Sequence, residues 1–91
     1  MAVSIDRFKP VEFSAHARDK MLDRGADEKE VLMAIHTGSL EPARKGRVMF
    51  RKNFDFHREW RGKRYAIKQV APVVAEEASK LVVVTVYVYY F

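Results

Sequence analysis

The sequence predicts one α+β domain, residues 1–91, in which two short N-terminal helices pack on a three- to four-stranded antiparallel sheet. Three observations carry this. Apolar residues recur at helical spacing between Phe13 and Ile35, β-branched and aromatic residues fill three segments after Gly46, and short polar turns separate those segments. A chain of 91 residues has material for a single core, and no repeat or low-complexity linker divides it.

Residues 1–12 read as an extended lead-in able to form a short edge strand, because Pro10 lacks the N–H that a central ladder needs. Ser14 is a good helix N-cap. Phe13, Ala17 and Met21, four residues apart, line one apolar stripe, and Arg24-Gly25 closes the helix with a glycine able to take the left-handed cap. Asp27 starts the second helix, and Glu30 three residues on completes a capping-box pattern. Val31, Leu32 and Ile35 form its buried face. His36 falls in the last turn, where a donor meets unpaired carbonyls, and Gly38 ends the helix.

SLEPARKG reads as a loop. The strands that follow are Arg47–His57, Arg64–Ala75 and Leu81–Phe91, joined by turns at EWRGK and EEAS in an antiparallel meander. Pro72 suggests a bulge or an early end in the second strand. In the third, Val82, Val84, Val86 and Val88 alternate with Thr85, Tyr87 and Tyr89, so the valine face is expected on the helices.

Composition narrows the function. With 48% hydrophobic and 32% charged residues the chain resembles an ordinary globular protein. The N-terminal residues lack a signal-peptide core, and the longest apolar run, Leu81–Phe91, is about half the length a membrane-spanning helix needs. A cytoplasmic protein is expected, consistent with the absence of cysteine. That absence also removes thiolate metal sites and cysteine nucleophiles. His16, His36 and His57 lie far apart, with no glycine-rich phosphate loop or dinucleotide fingerprint, so neither metal nor cofactor is expected.

The net charge of +5 is unevenly spread: ten basic residues between Arg44 and Lys68 face only Asp55 and Glu59. Charge of one sign in one segment attracts polyanions. The same residues would also discourage edge-to-edge strand pairing, and the sequence leaves both explanations open. An RNA surface would use Lys20, Arg51, Lys52, His57, Arg58, Arg61, Lys63 and Arg64, with Tyr87 as a stacking platform. Structural readings stand beside these: strand-end charges solvate a hairpin, and aromatic rings on one sheet face pack on each other.

His16, Lys20 and Arg24 also recur every four residues, on the flank of the apolar stripe. At such a boundary, neighbouring cations favour the neutral, base-competent form of a histidine, although three amphipathic side chains emerging from a helix edge would look the same.

The string FSAHARDKMLDRGADEKEVLMAI resembles the signature of the DUF4258 family of small bacterial proteins: serine, any residue, histidine-alanine, two residues, arginine-methionine, two residues, arginine-glycine. Ser14, His16, Ala17, Met21, Arg24 and Gly25 match, and Lys20 stands where the family usually has arginine, which keeps the charge but loses the bidentate fork. VVVTVY, with Thr85 and Tyr87, is similar to the family's closing strand. The resemblance implies a fold similar to that of RelE-type and barnase-like ribonuclease toxins, which cut RNA without a metal. It implies His16 as acid or base, Arg24 and Lys68 as phosphate binders, and Thr85 as a hydrogen-bond donor to phosphate. A valine face on the helices would turn Thr85 away from His16. The expected partners are RNA and an antitoxin protein, with no membrane, and a homodimer through the C-terminal strand is a candidate. The alternative is a non-catalytic module of the same fold that binds nucleic acid or protein.

Overall fold

The computed structural model describes residues 4–91. The chain runs β1 (Val11–Phe13), α1 (Ala15–Arg24), α2 (Glu28–Thr37), β2 (Ser39–Pro42), β3 (Val48–Trp60), β4 (Lys63–Glu76) and β5 (Leu81–Tyr90), with a turn of 3₁₀ helix at Arg44–Gly46 before β3. The expected α+β class is present, but the sheet has five strands, in the order β1-β5-β4-β3-β2, and it is mixed. The parallel pairing of one short edge strand and the presence of another differ from the expected antiparallel meander. Within the lead-in, β1 pairs parallel to β5, with Val11 opposite Leu81. SLEP, expected as loop, pairs antiparallel to β3, with Leu40 opposite Phe50. Residues 1–3 of the lead-in lie outside the described residues.

The helices begin and end where their caps dictate. The Ser14 hydroxyl accepts from the Ala17 N–H at 3.0 Å, and Gly25 takes the left-handed conformation, φ 81°, with its N–H on the Met21 carbonyl. A side chain at Gly25 would also collide with Trp60 and the Tyr90 hydroxyl, so space and backbone both require glycine there. Asp27 and Glu30 form the reciprocal capping box at the start of α2. His36 does not cap carbonyls. It stacks on Phe8, with ring centroids 5.1 Å apart.

Both helices pack on one sheet face. Ala17 and Met21 of α1 and Val31 and Ile35 of α2 meet Val48 and Phe50 of β3, Val70 and Val74 of β4, and Leu81, Val83 and Val86 of β5. A β-bulge corrects the face expected for β5. Val73 pairs with Thr85 but Val74 with Val83, so Val84 is an extra residue. Before the bulge the odd positions Leu81 and Val83 face the helices; after it the even positions Val86 and Val88 do. The strict alternation of Val82 and Val84 with Val86 and Val88 therefore does not hold.

Pro72 neither bulges nor ends β4. The β3–β4 register is the same on either side of it, Met49 opposite Val73 and Lys52 opposite Val70. The β3–β4 hairpin closes on Arg61 and Gly62, both with positive φ, the two-residue turn that matches strand twist.

Candidate functional site

The sheet face turned away from the helices carries a cleft of about 750 Å³. Its floor is Met49, Val73 and Val84, one wall is the Pro42–Arg47 loop, and His16, Thr85, Tyr87 and Tyr89 complete the lining. The bulge is what assembles it. Leu81 and Val83 face the helices, and the inserted Val84 lets Thr85, Tyr87 and Tyr89 beyond it point to the open face; Thr85 is turned away from the helices as expected, and it shares the cleft with His16 because His16 reaches that face.

Ser14 positions His16. Its N–H donates to the Val83 carbonyl at 3.0 Å, and its hydroxyl donates to the Val84 carbonyl at 3.2 Å. The first residue of the matched motif thus fastens the start of α1 to the bulge, and His16, two residues on, reaches round the strand edge to the cleft. Its imidazole is exposed, and it makes no side-chain hydrogen bond among the described residues. At the other end of α1, the Arg24 guanidinium donates to the Val86 carbonyl at 2.8 Å and lies 5.1 Å from the Tyr87 ring. The Tyr87 and Tyr89 rings are stacked at 6.5 Å, and 39% and 43% of these residues remains exposed.

Other expected site residues lie elsewhere. Lys68, expected as a phosphate binder, is 5% exposed and sits among the helix-facing residues. Its ammonium pairs with Glu30 at 2.8 Å and donates to the Gly25 carbonyl at 2.7 Å, so its charge is consumed inside the fold. Arg51 is on the open face but bonded to Glu41 at 3.0 Å and to Gln69; the Glu41 bond and charge raise its already high pKa. Lys52 faces Phe54 at 5.9 Å. Exposed His57, with φ 49°, occupies the β3 bulge that shifts register between Asp55 and Arg58. Arg58, Arg61, Lys63 and Arg64 gather at the hairpin tip, the end of β3 opposite the cleft. Arg61 there donates to the Asp23 carbonyl and pairs with its carboxylate.

The cations at the cleft are instead Arg44, Lys45 and Arg47. None has a side-chain ion pair or hydrogen bond among the described residues. Sequence reasoning counted them in the basic stretch without assigning them to a site, although the ARKG turn just before β3 was the available signal. No cluster of histidines and carboxylates able to hold a metal occurs among the described residues, and no helix there is long and apolar enough to cross a membrane.

These elements define a small α+β protein with a cationic, aromatic cleft on the open face of its sheet. A family model described as "Domain of unknown function (DUF4258)" matches residues 13–88, and the chain belongs to that family. No curated protein and no solved structure matches the chain.

Proposed function

We propose that the protein is a metal-independent endoribonuclease of toxin type that holds single-stranded RNA in the cleft. One observation carries this reading: a histidine, a threonine, two exposed tyrosines and three unpaired cations line a single cleft. Cations neutralise phosphates, and exposed tyrosines stack unpaired bases without demanding a sequence. The likeness in fold to RelE-type and barnase-like ribonucleases belongs to the same proposal, as does an antitoxin that would hold such a toxin in check.

The proposed chemistry is transesterification. His16 takes the proton of a ribose 2′-hydroxyl, the 2′-oxygen bonds to phosphorus, and the bond from phosphorus to the 5′-oxygen breaks, leaving a 2′,3′-cyclic phosphate. Tyr87 gives the departing oxygen its proton, while Arg24, Arg44 and the Thr85 hydroxyl stabilise the charge on the phosphorane. A general base of this kind contributes about a hundred- to ten-thousandfold in rate. Expression of the wild-type chain in bacteria is expected to slow growth and degrade RNA, and His16→Ala to relieve both. Equal growth and intact RNA in both strains would contradict the proposal.

One observation favours a second reading, a non-catalytic RNA-binding module. Among the described residues His16 is the only imidazole on the cleft and no carboxylate lines it, so the acid is left to a phenol or to the Lys45 ammonium. On that reading His16→Ala leaves both RNA binding and RNA integrity unchanged.

A further inference from the structure

Two long strands of the sheet have outer edges that their neighbours cover only in part. β2 pairs with Val48–Arg51 of β3 and leaves the rest of that edge open. β1 pairs with Leu81–Val83 of β5 and leaves its edge open from Val84 onward. The two open edges are built differently. That of β3 carries Lys52, Asp55, Arg58 and Glu59 and a bulge at His57, features that stop a second chain from pairing. That of β5 from Val86 to Tyr90 has no charge, no proline and no bulge. An unguarded edge beside exposed aromatic side chains is a template for another strand.

The groups this edge offers follow from the ladder. Phe91 exchanges both backbone hydrogen bonds with Ile67, and in an antiparallel pair residues two apart are bonded alike. Tyr87 and Tyr89 therefore turn their N–H and C=O toward Ala71 and Gln69 of β4, while Val86, Val88 and Tyr90 turn theirs outward. The Val86 carbonyl takes the Arg24 guanidinium. The outward groups of Val88 and Tyr90 have no partner among the described residues.

Charge beside the edge selects the occupant. Ser14 fastens the start of α1 to the Val83 and Val84 carbonyls, and Arg24 fastens its end to Val86, so the His16, Lys20 and Arg24 stripe borders the open edge. Lys20 has no ion pair among the described residues. Of the carboxylates on α1, Asp23 is held by Arg61 and only Asp19 is unpaired among the described residues. A second copy paired two-fold on β5 would set Lys20 and Arg24 against their own images, on chains that each carry +5. A nucleic acid matches the charge, but its backbone lacks the alternating donors and acceptors of a peptide. An acidic peptide matches both.

We infer that the open edge of β5 binds an extended, acidic segment of a partner protein by strand addition. Its main chain bonds to Val88 and Tyr90, the carboxylates of one face meet Lys20 and Arg24, and apolar residues of the other face lie beside Tyr87 and Tyr89. The inference stands whether or not the cleft cuts RNA.

The test is binding of fluorescein-labelled decapeptides to the full chain by anisotropy. The peptides are alternating glutamate and valine, alternating lysine and valine, and the glutamate peptide with its backbone nitrogens methylated. The glutamate peptide is expected to bind at least about tenfold more tightly than the lysine peptide and at least about tenfold more tightly than its methylated form, which lacks the main-chain donors. Val88→Pro removes an outward N–H and no bond to β4, and should weaken the glutamate peptide as methylation does. Lys20→Glu should weaken it several-fold without touching the strand, and so covers the case in which the melting curve shows the proline variant unfolded. Equal binding of the methylated peptide would overturn strand addition, and equal binding of the lysine peptide, or unchanged binding by Lys20→Glu, would overturn the acidic partner. Absence of binding by any peptide would overturn both. A wild-type dimer in sedimentation equilibrium that Val88→Pro separates into folded monomers would overturn the foreign strand in favour of a second copy.

Discussion

Burial decides what each cation near α1 can do. Lys68 carries the charge expected of a phosphate binder, but its ammonium lies between the Glu30 carboxylate and the Gly25 carbonyl, where it fastens the α1–α2 junction to the sheet. Lys68→Ala strands the Glu30 carboxylate in a mostly buried position and should destabilise the fold by about 3 kcal/mol, read by denaturant titration. If Lys68 were a phosphate ligand, the same change would weaken RNA binding and leave stability nearly intact. Tyr90 secures the other side of this junction, its hydroxyl donating to the Arg24 carbonyl at 2.7 Å. Burial, reinforced by the charge of Glu30, raises its pKa above the ordinary 10.0. The folded state therefore holds the phenol proton more tightly than the unfolded chain does. Stability from this group is fully present below pH 10 and falls as pH rises from there through the folded pKa. Tyr90→Phe should flatten that alkaline loss in melts taken at successive pH values. A sequence reports which residues are charged but not which of them find a buried partner, so the pairing of Lys68 with Glu30 and the Gly25 carbonyl was not legible.

The bulge at Val84 is the element on which the cleft depends. Without an extra residue, strict alternation from Leu81 and Val83, which face the helices, would turn Thr85 and Tyr87 to the helices as well and leave Val84 and Val86 on the open face. Nothing in VVVTVYVYY marks the extra residue, because valine fits either face, and the valine alternation pointed to the wrong half of the strand. Truncation distinguishes the two registers. Val83 is fully buried and Val84 is not, so Val83→Ala should cost about 2 kcal/mol and Val84→Ala under about 1 kcal/mol in chemical denaturation. Equal costs, or the reverse order, would contradict the bulged register. Ser14 is coupled to the same feature through the Val84 carbonyl. Caps and turn residues were readable: Ser14, Gly25, Asp27 and Arg61-Gly62 act through local chemistry. The lead-in was readable as a short edge strand, which β1 is, but its parallel partner was not, and β2 was read as loop, because three- and four-residue strands containing Glu12 or Pro42 have no period of their own and exist by pairing with longer neighbours.

Across the whole molecule, Arg44, Lys45 and Arg47 are the cations that line the cleft, on a sheet face whose large exposed side chains on β5, Tyr87 and Tyr89, are aromatic. On the proposed reading this arrangement would bind polyanions with strong salt dependence. Arg44→Ser with Arg47→Ser should therefore weaken RNA binding and lower its salt slope, read by anisotropy at several salt concentrations. The measurement that bears most directly on the account is cleavage of an end-labelled single-stranded RNA by the purified chain in the presence of EDTA, with the products analysed for their 3′ ends. Wild-type protein is predicted to release fragments ending in 2′,3′-cyclic phosphate, and His16→Ala to bind the same RNA with similar affinity while cutting it at least about a hundredfold more slowly. Bound RNA that stays intact with the wild type, or is cut equally by His16→Ala, would contradict it.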